Sequence, residues 1–219
     1  PQVLPTAQDV WKECIRRYPD EVTLITLGPL TNVAVGLKVN PLTVQKFRAV
    51  VAMGGAIGVP GNVSPVAEFN MYVDPHAAHR VFRASLPLML VPLDVTTRVG
   101  VTRADLGTWV TASPHPIGRL VADMTSKAFD FAEQVEGHGL FYFHDPVAIL
   151  SVVDASLLRT EALHVDIEMI GRVSRGATVA DRRSRKPEEK ADPNMQVAVG
   201  IEADRALQLI RSRLCPWLS

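Results

Sequence analysis

The chain has 219 residues, of which 47% are hydrophobic and 21% charged, and Lys plus Arg equals Asp plus Glu at 23 each, so the formal net charge is zero. That profile fits one sizeable folded domain and argues against disorder, and the lack of a basic excess argues against a nucleic-acid partner held through its phosphates. The two cysteines, Cys14 and Cys215, form neither a disulfide scaffold nor a CxxC pair, so both are read as structural or inert. The longest apolar run, around Leu86 to Leu93, falls far short of the ~20 residues a membrane helix needs. No signal peptide is visible, and a cytoplasmic location is the default expectation.

Residues 6–18 predict an amphipathic helix, with Val10, Trp11, Cys14, Ile15 and Tyr18 on one stripe. Thr6 is placed as its cap, with Asp9 completing a capping box. VTLITLG at 22–28 is short, β-branched and almost wholly apolar, as a strand buried on both faces should be. PLTNVAVGLKVN follows as a helix, and FRAVVAMGG at 47–55 as a second buried strand. Residues 74–85 predict a helix with Asp74 at the N-cap and Pro75 at N1. LPLMLVPLDVT at 86–96 reads as a third strand. Residues 103–134 are helical with a break around SPHP at 113–116, 135–141 form a glycine-containing loop, and HDPVAILSVVD at 144–154 starts another helix. An extended segment with a turn is expected over 163–180, a strand over 195–202, and a closing helix over 203–214. The mixed-sign stretch between residues 181 and 194 is read as a solvated hairpin loop. Strand and helix alternate with short links, which implies an α/β fold: a mostly parallel, doubly wound, Rossmann-like sheet with helices on both faces. No domain boundary is evident, so residues 1–219 are read as one domain.

Ligands on such sheets bind beyond the carboxyl ends of the strands, and the polar clusters fall there. LGPLTN at 27–32 turns at a strand end, where Thr31 and Asn32 either cap a helix or leave backbone carbonyls free to face a cation. The glycine-rich stretch 53–70 brings Asn62, Glu68 and Asn70 close to one another. A carboxylate flanked by carboxamides both donates and accepts, which suits a polyhydroxylated ligand such as a sugar. The glycines match no phosphate-binding GxxxxGK[ST] motif. In FHDPVAI, Asp145 precedes Pro146 and is either a helix cap or a ligand, and His144 beside it is a candidate proton donor. His138 reads as a solvated loop histidine that could approach the same site. His76 and His79 lie three apart on a helix, but no third ligand is evident nearby, which favours an exposed helix face over a metal site.

The segments LGPLTN at 27–32, MGGA at 53–56, GN at 61–62, AEFN at 67–70, DPHAA at 74–78, LDVT at 93–96 and HDPVA at 144–148 together resemble the inosine–uridine-preferring nucleoside hydrolase family. VSRGATVAD at 173–181 fits as well, and the resemblance covers nearly the whole chain. It implies an enzyme that hydrolyses the N-glycosidic bond of a small-molecule ribonucleoside, with calcium as cofactor. It further implies that Asp145 ligates calcium through its side chain and Thr31 through its backbone carbonyl. Asn62, Glu68 and Asn70 would bind ribose hydroxyls, Met53 would line the ribose pocket, and His144 would protonate the leaving base. Calcium would hold the ribose hydroxyls and the attacking water, whose pKa it lowers, on the way to an oxocarbenium-like transition state.

The family also opens with an aspartate-rich DxDxGxDD strand that supplies the general base and the remaining calcium carboxylates, and nothing in these residues matches it. The chain is therefore expected to lack roughly the first third of the family's domain. On its own it would expose an apolar sheet edge and hold calcium weakly. The alternative function is a non-catalytic nucleoside- or ribose-binding pseudoenzyme or subunit. A homodimer or homotetramer is implied, with no nucleic acid and no membrane as partner.

Overall fold

The apolar stripe of residues 6–18 winds as α1 (Ala7–Arg17) in the computed structural model of the chain, which describes residues 4–111, 116–183 and 191–214. Thr6 caps it as expected: its hydroxyl accepts from the Asp9 amide at 3.2 Å, and the Asp9 carboxylate accepts from the Thr6 amide at 3.0 Å. Then come β1 (Thr23–Thr26), α2 (Thr31–Val39), the single turn α3 (Pro41–Val44) and β2 (Ala49–Met53). A short α4 (Phe69–Val73) precedes α5 (Pro75–Phe82), where Asp74 accepts from the Ala77 amide at 3.0 Å with Pro75 behind it, the cap read from sequence.

The third strand is shorter than its apolar run. β3 spans Leu88–Val91 and gives way to a turn of helix, α6 (Leu93–Thr96). Pro92 carries no amide hydrogen and cannot continue a ladder. β4 (Gly100–Thr102), α7 (Arg103–Thr111) and α8 (Pro116–Phe131) follow; most of the expected helix break at 113–116 lies outside the described residues. Residues 135–141 are not all loop: a π-helical turn ends at Gly137, and β5 (Leu140–Tyr142) pairs antiparallel with β4. Next are α9 (His144–Val153), β6 (Leu158–Leu163), β7 (Val165–Ile167), β8 (Thr178–Ala180), β9 (Met195–Ile201) and α10 (Ala203–Leu214). β6, with sequence LRTEAL, carried no strand signal because its residues favour helix and most are exposed.

Close contacts divide the chain into two compact units, one of residues up to Asp94 with Arg159–Gly200, the other of Val95–Leu158 with residues from Ile201. The first carries a five-stranded sheet in the order β1-β2-β3-β9-β6, in which β1, β2, β3 and β9 pair in parallel. The α/β fold with a mostly parallel sheet is therefore as expected. The register aligns Ile25, Val51 and Met89 across the sheet. Val50, Ala52, Leu88, Leu90 and Val197 pack with Leu30, Val33, Leu37, Val81 and Phe82 of the crossover helices in one buried cluster. Trp11 of α1 closes it by standing edge-on to Phe47, with ring centroids 5.7 Å apart. The β7–β8 hairpin, with Val165 and Ile167 in the same cluster, is the extended segment with a turn.

The second unit combines the β4–β5 pair with α7, α8, α9 and α10. Its aromatic residues stack: Trp109 lies parallel to Phe143 at 6.2 Å, and Phe141 stands edge-on to Phe143 at 5.3 Å. No described helix is long and apolar enough to cross a membrane.

Candidate active site

β2 ends on buried Met53, and the chain leaves the sheet through Gly54 and Gly55 at φ of 150° and 85°. A Cβ on Gly54 would meet Met71 Cε at 2.6 Å and Glu68 Oε2 at 2.9 Å, and one on Gly55 would meet Thr178 Oγ1 at 2.9 Å. Only glycine combines this backbone with this close approach. The approach lets the Glu68 carboxylate reach the loop. Glu68 is 2% exposed. Its Oε2 accepts from the Gly55 amide at 2.9 Å and the Met71 amide at 3.3 Å, and its Oε1 accepts from the Asn70 amide at 2.9 Å. It is thus the N-cap of α4, a structural duty that the sequence pattern did not disclose.

Asn70, 5% exposed, donates from Nδ2 to the Met53 carbonyl at 3.1 Å and lies 3.6 Å from the Met53 sulfur. Asn62 is exposed, and its Oδ1 accepts from the Phe69 amide at 2.9 Å. The four residues expected around ribose are thus brought together: Met53, Glu68 and Asn70 by direct bonds, and Asn62 through the amide next to Glu68. Asp94, in the LDVT segment at 93–96, was given no separate role by the sequence. Its carboxylate oxygens accept from the Ile57 amide at 2.9 Å and the Gly58 amide at 2.7 Å, and the Leu93 amide donates to the Gly55 carbonyl at 2.9 Å. The end of β3 thereby pins the glycine loop.

Thr31 stands at the first residue of α2, after Leu30, and does not cap it. Its hydroxyl donates to Asp74 at 2.7 Å, which ties the start of α2 to the start of α5. Among the described residues, no hydrogen bond joins Thr31 to the Met53–Asn70 cluster.

In the second unit, α9 begins at His144 with Phe143 as N-cap, so Asp145 lies in the first turn and is not the helix cap its Pro146 neighbour suggested. The helix starts at His144 as expected, and the Phe143 amide before it donates to the Val99 carbonyl at 2.9 Å. Asp145 is half-buried, no hydrogen bond or ion pair among the described residues reaches its carboxyl, and burial raises its pKa. His144 is packed away from water, which lowers its pKa to about 4, so the ring is neutral at pH 7. Its Nδ1 lies 2.7 Å from Thr96 Oγ1, a partner the sequence gave no signal for. The Tyr142 ring sits 5.7 Å from His144 and 5.1 Å from exposed His138, whose Nδ1 accepts from the Leu140 amide at 3.1 Å.

For a hard cation the donors fit in kind but are few. Asp145 is a half-buried carboxylate that no described residue bonds, and calcium prefers oxygen donors of this kind. Among the described residues, no three His, Cys, Asp or Glu side chains gather around one point. His79 pairs with Asp166 at 2.8 Å, and His76 is exposed.

Most of the chain matches known proteins. The sequence profile of the inosine-uridine preferring nucleoside hydrolases matches residues 2–208. The chain belongs to this family. The pyrimidine-specific ribonucleoside hydrolase RihA of Salmonella arizonae is 34% identical over 210 residues, covering 95% of this chain and 66% of that relative. The inosine-uridine preferring nucleoside hydrolase of Leishmania major is 35% identical over 193 residues, covering 85% and 58%. Among solved structures, the purine-preferring ribonucleoside hydrolase of Gardnerella vaginalis superposes with a TM-score of 0.85 at 29% identity, covering 98% of this chain and 66% of its own. A plant nucleoside hydrolase superposes at 0.86 with 26% identity, covering 98% and 69%. The chain thus spans less than two thirds of the length of these two curated relatives.

Proposed function

We propose that the protein acts in hydrolysis of the N-glycosidic bond of ribonucleosides to ribose and free base. The observation that carries this reading is the buried Glu68–Asn70 pair bonded to the end of β2, in a chain of the nucleoside hydrolase family. In this reading Asn62, Glu68 and Asn70 hold ribose hydroxyls, and the Met53 side chain lines the sugar pocket. A carboxylate accepts from sugar hydroxyls, and carboxamides both donate and accept. His144 serves the departing base. Its ring is neutral, so it offers one N–H to the nitrogen or oxygen that gains electrons as the bond breaks.

Calcium is the cofactor of this reading, with the Asp145 carboxylate and the Thr31 carbonyl among its ligands. When bound it would fix the ribose diol and make water a better nucleophile. The general base and the remaining metal carboxylates belong to an aspartate-rich segment of the family type, which is not among these 219 residues. A cytoplasmic homodimer or homotetramer, with each subunit built as one domain, completes the reading.

The test is release of reducing sugar from inosine and uridine in calcium. The chain is assayed alone and with an aspartate-rich strand of the family type joined ahead of Pro1. Turnover in the joined form that falls at least about a hundredfold in Asn70→Ala supports the reading. Ribonucleoside binding with no sugar release from either form overturns it, and points instead to a non-catalytic ribonucleoside-binding subunit. The lack of a gathered carboxylate cluster among the described residues favours that second reading for the chain alone.

A further inference from the structure

We propose that Thr96 is a positioning residue for His144, holding the imidazole in the tautomer that carries its proton on Nε2. The inference rests on the reading of His144 as the group that serves the leaving base. Its structural content stands on the second unit alone.

Thr96 is 0% exposed, so its hydroxyl cannot turn to water. Several helical Ser and Thr hydroxyls find a carbonyl in their own helix: Thr108 bonds Asp105, Thr125 bonds Val121 and Ser151 bonds Ala148. Among the described residues Thr96 makes no such bond. Among the described residues, the one hydrogen-bond partner of Thr96 Oγ1 is His144 Nδ1, at 2.7 Å.

A hydroxyl is both donor and acceptor, whereas each nitrogen of a neutral imidazole is one or the other. If Nδ1 carried the proton, it would donate to Thr96 Oγ1 and leave the buried hydroxyl hydrogen with no acceptor. If Nδ1 is bare, the hydroxyl donates to it and the buried hydroxyl hydrogen has its acceptor. An unmet buried donor costs enough to bias the two tautomers by about tenfold or more. The proton therefore resides on Nε2. Other contacts fix the ring in place without choosing a tautomer: Tyr142 packs against it at 5.7 Å, and His144 is anchored as the first residue of α9. Thr96 thus decides which nitrogen can donate to a departing base. A bare Nε2 would repel the electron pair the base acquires, whereas a protonated Nε2 stabilises it.

The test is a long-range proton–nitrogen correlation spectrum of the full chain labelled in histidine, with the His144 signals assigned by their loss in His144→Gln. The expected wild-type pattern is a bare Nδ1 and a protonated Nε2. Thr96→Ser keeps that pattern, because the hydroxyl remains. Thr96→Val is nearly isosteric but has no donor, and is expected to show both tautomers in exchange. In the catalytically competent form, Thr96→Val is expected to lower kcat about tenfold with KM changed by less than about twofold, and Thr96→Ser to restore it. A wild-type spectrum with Nδ1 protonated, or one that does not change in folded Thr96→Val, overturns the proposal. If Thr96→Val does not fold, the wild-type and Thr96→Ser spectra decide alone. Lack of turnover in the wild type overturns the hydrolase reading, and the spectrum still decides the tautomer.

Discussion

Removing the Glu68 side chain tests the architecture of the site without assuming any chemistry. The carboxylate meets three backbone amides from two segments: Gly55 after β2, and Asn70 and Met71 at the start of α4. Glu68→Ala removes a helix cap, worth about 0.5–2 kcal/mol. It also leaves the Gly55 N–H buried without a partner, which costs about 1–3 kcal/mol. The two losses share one side chain and are not independent, so the expected destabilisation is about 3 kcal/mol. Glu68→Gln keeps the shape but turns an amino group towards one of the amides, and should cost about 1–2 kcal/mol. The assay is urea unfolding of wild type and both variants, followed by tryptophan fluorescence and circular dichroism and compared at constant m-value. If both variants unfold within about 0.5 kcal/mol of wild type, Glu68 does not tie the glycine loop to α4 and the reasoning fails.

Three further outcomes follow from neighbouring geometry. Gly55→Ala combines a φ of 85° with a Cβ 2.9 Å from Thr178 Oγ1, and should cost at least about 1 kcal/mol in the same unfolding assay; a neutral effect would refute the close approach. The Thr178 hydroxyl is buried with no hydrogen-bond partner among the described residues, so Thr178→Val should be neutral or stabilising by up to about 1 kcal/mol, and a clear loss would show a partner for the hydroxyl. Burial pushes the Asp166 carboxyl up, but the Ile167 amide, His79 and Arg83 outweigh it and hold its pKa below the ordinary value. Its contribution to stability is therefore present above the unfolded-state pKa of about 4 and is lost as pH falls through the depressed folded value. Asp166→Asn should flatten the acid limb of a stability–pH curve, and an unchanged limb would refute that linkage.

The elements that could be read from sequence are those whose cause lies within a few residues along the chain. The helix of residues 6–18, the Thr6 and Asp74 caps and the closing helix over 203–214 follow from three- and four-residue spacing and local capping. The runs VTLITLG and FRAVVAMGG become adjacent parallel strands, but only the second is buried as expected: β1 lies at the edge of the sheet and is half-buried throughout. The candidate ribose residues were legible as types, since a carboxylate flanked by carboxamides near strand ends suits a sugar. What each of them touches was not. Glu68 reaches back 13 residues to Gly55, Asp94 reaches 36 and 37 to Gly58 and Ile57, and Thr96 meets His144 across 48. No local pattern encodes such partners, because a side chain's valences are filled by whatever the fold brings near it. The same limit explains β6, whose helix-favouring residues form an edge strand beside β9, and Asp145, which could be read as a cap but lies in the first turn of α9 behind the N-cap Phe143. The sequence by itself determined where the chain would bend, wind and bury itself, since those preferences are local. Only the tertiary structure decided which polar atoms are satisfied and which nitrogen of His144 faces the Thr96 hydroxyl, because hydrogen bonds depend on distance in space and not along the chain.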